Sequence, residues 1–157
     1  MTPTRPWVPR LLSAFVGLVF LLLIAEYLLG LWTNVYAPAM FTSSASTPAL
    51  AAHMSAGIAL FVASIVMTVL AALRKELRPV IPSVVTVLAV GAAGVFGRMY
   101  ISTTPNDPAY PFAMGTLFLV AFVSAAAVSW LSWDRAGSTA TRGASDGRMG
   151  GANFPSR

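Results

Sequence analysis

The chain has no cysteine and a single histidine, and only 10% of its 157 residues are charged. Without cysteine there is no disulfide, no thiolate-bound zinc or iron–sulfur cluster, and no thioether attachment of haem. With His53 alone, one chain cannot form a bis-histidine site. A soluble domain carries about 25% charged residues, so this chain lacks the groups to cover a surface facing water. It is rich in hydrocarbon instead, at 57% hydrophobic residues. The net charge of +5 raises the question of nucleic acid. The basic residues fall in short clusters at the ends of apolar runs, however, where membrane topology accounts for them, and we expect no nucleic-acid partner. The class that remains is all-α: a polytopic membrane protein with one domain over residues 1–135.

Four apolar runs predict four helices, at about residues 11–33, 48–73, 80–99 and 111–133. The first follows a short polar start with Arg5, Arg10 and Trp7. It is longer than the ~7–15 residues of a secretory h-region, so it reads as a retained membrane helix despite the small-residue site Ala37-Pro38-Ala39. A chargeless Ser/Thr-rich loop leads to Thr47-Pro48, a hydroxyl N-cap followed by proline at the first helical position. The second run stops at Arg74-Lys75-Glu76-Leu77-Arg78-Pro79, a tight basic turn. Pro105-Asn106-Asp107-Pro108 breaks the chain before the fourth run. Residues 136–157 are rich in Gly, Ser and Arg without apolar period, and predict a disordered tail.

The basic residues orient this arrangement. Arg5 and Arg10 precede the first helix, Arg74, Lys75 and Arg78 separate the second from the third, and Arg135, Arg142, Arg148 and Arg157 follow the fourth. By the positive-inside rule this side is cytoplasmic, giving an antiparallel four-transmembrane-helix bundle with both termini inside. A multi-pass protein of a prokaryotic plasma membrane is the expectation.

The exception among the basic residues is Arg98, at the outer end of the third run. Glu26 lies roughly 10 Å below the outer end of the first helix and His53 ~6–8 Å inside the second. The three share one slab of the membrane. A charge in hydrocarbon costs at least ~2.5–3.5 kcal/mol and turns to the bundle interior for a partner. We therefore expect an intramembrane polar cluster in which Glu26 pairs with Arg98, directly or through His53. The alternative is that Arg98 reaches out to the headgroups and Glu26 is a hydrogen-bonded packing residue.

Imidazole is the commonest metal ligand among side chains, so His53 is a candidate haem or metal ligand. Methionine can supply a second axial position, and Met54, Met99 and Met114 all fall near outer helix ends. A homodimer would instead bring a second His53. Gly91, Gly94 and Gly97 form a slowly drifting stripe on the third helix. Such stripes let helices approach closely, and packing is the plain expectation, with a groove for a flat cofactor as the other.

Two segments resemble a known family. The first helix ends with Glu26, Leu29, Gly30 and Asn34 in the pattern E-x-x-L-G-x-x-x-N. After the loop come His53, Gly57, Ile58 and Leu60 as H-x-x-x-G-I-x-L. Together they resemble half of a haem A synthase, a family built from tandem four-helix bundles with half-size versions. The resemblance implies a shared bundle, His53 at a haem-handling position and Glu26 as a nearby acid. It covers the first two helices only. Where the family's second histidine should begin the fourth helix, this chain has Tyr110-Pro111-Phe112-Ala113-Met114, and the family's outer-loop cysteines are missing. The chain is also similar to small four-helix prokaryotic membrane proteins with this histidine pattern, a likeness that implies no function.

Three functions follow as expectations. First comes a non-enzymatic accessory or assembly subunit of a larger, for instance respiratory, membrane complex, with lipid and other membrane subunits as partners and no cofactor. Second is a haem-binding or haem-handling protein using His53. Third is a small transporter, against which stands the absence of an interrupted helix pair.

Overall fold

The computed structural model of the chain describes residues 7–36, 48–102 and 107–149, with side chains described for 7–33, 48–102 and 107–133. It is all-helical: α1 (Trp7–Tyr36), α2 (Pro48–Leu73), α3 (Leu77–Ser102) and α4 (Ala109–Met149). The stretches Trp7–Thr33, Pro48–Leu73, Leu77–Ser102 and Ala109–Trp133 are each long and apolar enough to cross a membrane. The Thr47 cap, the Ser/Thr-rich loop and residues 150–157 lie outside the described residues.

Proline sets where these helices start. Pro9, Pro79 and Pro111 are each the third residue of their helix, and Pro48 is the first. The first four backbone N–H groups of a helix have no acceptor within it, so proline loses nothing there. This is why α1 begins at Trp7 and α3 at Leu77, three or four residues before the apolar runs themselves. Asp107 caps α4, its Oδ1 accepting from the Ala109 N–H at 2.9 Å. Between α2 and α3 the chain reverses over Arg74, Lys75 and Glu76, with Lys75 in the left-handed region at φ 57°. There the N–H groups of Arg74 and Lys75 donate to Ala71 and Ala72 carbonyls, closing the last turn of α2.

The apolar pattern predicts an end to the fourth helix near Trp133 and no regular structure after 136. The helix instead continues to Met149. Residues 134–149 contain no proline; their three alanines and three arginines favour helix, and the three glycines among them weaken it without breaking it.

The helices form a ring in the order α1, α2, α3, α4, each packed on its two neighbours, while the diagonal pairs barely touch. One stripe of α1 faces inward: Val8, Leu12, Val16, Val19, Leu23, Glu26 and Thr33 are all buried. Their spacing of three, four or seven residues is the helical period, and Glu26 follows five apolar residues in that stripe. Leu60 and Met67 from α2 complete the middle of the core, with the small residues Ala63, Ala71, Ala89, Ala93, Ala121 and Ala125. The buried hydroxyls of Ser64, Ser83 and Thr86 donate to the carbonyls of Leu60, Val80 and Pro82 on their own helices, so they need no partner from elsewhere. Alanines thus line much of the interior beside a few large side chains, and many large residues also face out: Leu21, Leu88, Leu119 and Trp130 are all strongly exposed. The outside of the ring is as apolar as its core.

Candidate functional site

The site forms at the end of the bundle opposite the start of α1, here called the distal end. It is built on the seam between α1 and α2. Glu26, only 6% exposed, points from α1 towards α2. His53 Nδ1, from α2, stands 3.2 Å from Glu26 Oε1. The distance is that of an ion pair, but the ring nitrogen is not aligned for a hydrogen bond, and Glu26 Oε2 has no hydrogen-bond partner among the described residues either. A buried carboxylate oxygen is thus left unsatisfied, which costs about 1–3 kcal/mol.

Two glycines make this approach possible. A Cβ on Gly57 would lie 2.8 Å from Glu26 Oε1, and one on Gly30 would lie 3.4 Å from His53 Cε1. Each polar side chain therefore sits over a glycine of the opposite helix. Residues four apart share a helix face, so Glu26 and Gly30 on α1 meet Gly57 and His53 on α2 in antiparallel register. Alanine at Gly57 is expected to push the carboxyl off His53 and to destabilise the bundle by about 1–2 kcal/mol. In a Glu26→Ala background the same change should become stabilising by several tenths of a kcal/mol, because alanine is the better helix former. Thermal unfolding of the four proteins in detergent measures this reversal of sign.

Beside the pair opens a cavity of about 470 Å³ lined by all four helices. Its walls include Glu26, His53, Leu60, Phe61, Gly94 and Phe118. The three α3 glycines explain its shape. A spacing of three residues turns the helix by about 300°, so each glycine drifts some 60° from the last. Gly91 thereby faces the Phe61 ring of α2, at 3.2 Å from its would-be Cβ, and Gly97 faces Met114 of α4 at 3.3 Å. Gly94, between them in direction, meets nothing within 4 Å and leaves the wall open. The glycines admit side chains and space, not the neighbouring backbone contact expected of a packing stripe.

The cluster expected from the sequence is only partly assembled. Glu26 and His53 meet, whereas Arg98 is exposed at the edge of the same cavity and makes no ion pair with a described acid. The reason is the ring order. Glu26 is on α1 and Arg98 on α3, a diagonal pair, and Gly57 turns the carboxyl towards α2 instead. Of the candidate methionines, Met54 and Met114 line the cavity, and Met99 does not. Tyr100 lines it too, with its ring 6.4 Å from that of Tyr110. Among the described residues no three His, Cys, Asp or Glu side chains gather as a metal site would require. Phe61 and Phe118 carry no chemical signal in the sequence. The paired four-residue spacings, Glu26 to Gly30 and His53 to Gly57, were the available signal for the seam.

Compared with models of protein families, with curated proteins and with solved structures, the chain matches none of them.

Proposed function

We propose that this chain is a multi-pass integral membrane protein that holds a small, largely apolar ligand in its distal cavity, with the ligand's polar part against Glu26 and His53. The observation that carries this reading is a cavity of about 470 Å³ with Glu26 and His53 in its wall, a volume within the usual range of small-molecule sites. Glu26 Oε2, buried without a hydrogen-bond partner among the described residues, calls for an explanation, and a ligand reached by a small rotation of the carboxyl supplies one. Membrane insertion is supported by the apolar outer surface of all four helices. The placing of nine of the ten basic residues supports cytoplasmic termini, as in a prokaryotic plasma membrane.

The test is occupancy by aminoanthracene, an apolar fluorophore, added to the protein in lipid nanodiscs. Wild type and Gly94→Ala should bind it, because the space at Gly94 accepts a methyl group. Gly94→Trp, which fills the cavity, should not. Equal binding by all three, or by empty nanodiscs, overturns the reading.

A second reading, haem as the ligand, follows from the resemblance to half of a haem A synthase. The donor set suits it in part: Glu26 Oε1 stands 3.2 Å from His53 Nδ1, and a small rotation of the ring would make the hydrogen bond that orients an imidazole to ligate through Nε2. Met54 and Met114 stand on the cavity wall, and Arg98 at its edge suits a propionate. A bound haem would supply redox chemistry or be the cargo. A Soret band that disappears in His53→Ala would support it, and a colourless preparation would remove it. The accessory-subunit reading ranks lower, since exposed apolar side chains are spread over all four helices and mark no single docking face. A transporter draws support from Glu26 alone.

A further inference from the structure

Resting on the ligand-site reading above, the chemistry of the cavity narrows what it holds. Its polar groups stand on two different walls. Counting 1.5 Å per residue from the Phe61–Gly91 contact, Gly57 (opposite Glu26) lies about 6 Å, Arg98 about 10 Å and His53 about 12 Å towards the distal end. Arg98 on α3 and the carboxyl–imidazole pair on the α1–α2 seam therefore sit at similar heights along their helices, all in the cavity lining. The lining at and beyond that level also includes Thr33, Tyr100 and Met114, and the hydrocarbon of Leu60, Phe61, Val90 and Phe118 lies deeper, near the Phe61–Gly91 contact.

This arrangement selects against a net charge on the ligand. A cation drawn to Glu26 meets Arg98, and an anion drawn to Arg98 meets Glu26. An acyl chain with one carboxylate would satisfy Arg98 and leave the Glu26 oxygen buried against methylene groups. A molecule with a single hydroxyl reaches one wall only. One chemistry that satisfies both without separated charges is a neutral body with an oxygen at each of two opposed edges. Arginine donates to one, and the carboxyl and imidazole meet the other as acceptor or donor. The open wall at Gly94 favours a flat body over a bulky one. We infer that the distal cavity binds the head ring of a membrane quinone or quinol, with Arg98 on one ring oxygen and the Glu26–His53 pair on the other.

Menadione and methylnaphthalene test this, because they share a ring system and differ in the two oxygens. Both are titrated against aminoanthracene bound to the protein in nanodiscs. Menadione should displace the fluorophore at about one-tenth the concentration that methylnaphthalene requires, the effect of one or two added hydrogen bonds. Arg98 is exposed and makes no ion pair with a described acid, so Arg98→Ala leaves the fold in place. It should cut the advantage of menadione severalfold, and Arg98→Lys should restore part of it. If the two compounds displace the fluorophore equally, the cavity stands as a ligand site and the quinone assignment is overturned. The same holds if menadione's advantage is unchanged in Arg98→Ala, or if the purified protein shows a Soret band. If the fluorophore itself does not bind, the ligand-site reading has failed, and this assignment with it.

Discussion

Glu26→Leu should give a bundle about 1–3 kcal/mol more stable in detergent than the wild type, while abolishing the preference for menadione over methylnaphthalene. Position 26 belongs to the inward stripe of α1 that runs through Leu12, Val16, Val19 and Leu23. Leucine there completes the stripe and removes an acceptor that no protein group satisfies. The opposing effect is the loss of the 3.2 Å contact with His53. Breaking a buried ion pair is costly when it strands a fully buried charge. The His53 side chain is 15% exposed, but its Nδ1 makes no hydrogen bond among the described residues that could be lost. Removing the unsatisfied oxygen therefore outweighs losing the contact. A residue that weakens the fold fits the trade-off between stability and function seen at binding sites. Thermal or denaturant unfolding gives the sign. A variant less stable than wild type would mean that the Glu26–His53 contact fastens α1 to α2, and that the pair is structural.

The second large effect concerns the outside of the ring. Leu21 is 68% exposed in the middle of α1. If lipid surrounds the bundle, Leu21→Arg puts a guanidinium at the centre of the hydrocarbon, at a cost of about 2.5–3.5 kcal/mol on insertion scales. Trp7, 42% exposed at the start of the same helix, provides the control. An arginine there reaches the headgroups and should cost little. The measurement is the carbonate-resistant fraction of each variant in membranes: strongly reduced for Leu21→Arg, near wild type for Trp7→Arg. On a surface facing water both changes would stay within about 0.5 kcal/mol of neutral, and equal behaviour of the two would argue for that.

How much of this could be read from residues alone depends on the element. The helices were legible because each apolar run is bounded by proline or a basic cluster, and burial on one side cannot disguise a run that is apolar all round. The end of α4 was not, since helix propagation past Trp133 depends on the absence of a stop signal and not on any apolar period. Glu26 and His53 stood out because a polar group in hydrocarbon needs a reason, whatever the fold. Their pairing with each other, and not with Arg98, depends on the ring order of the helices. Height along the membrane follows from counting residues, but rotation about the ring does not. For the same reason the glycine stripe of α3 looked uniform in the sequence. Only the directions of its neighbours separate Gly91 and Gly97, covered by Phe61 and Met114, from Gly94, which opens the cavity.

Whether the distal cavity holds a small molecule in the living membrane is addressed most directly by mass spectrometry. The protein is released intact from its own membranes, with Gly94→Trp measured alongside. A neutral, apolar adduct on the wild-type chain, missing from the tryptophan variant, is the predicted result. The same adduct on both proteins, or none on either, would contradict it.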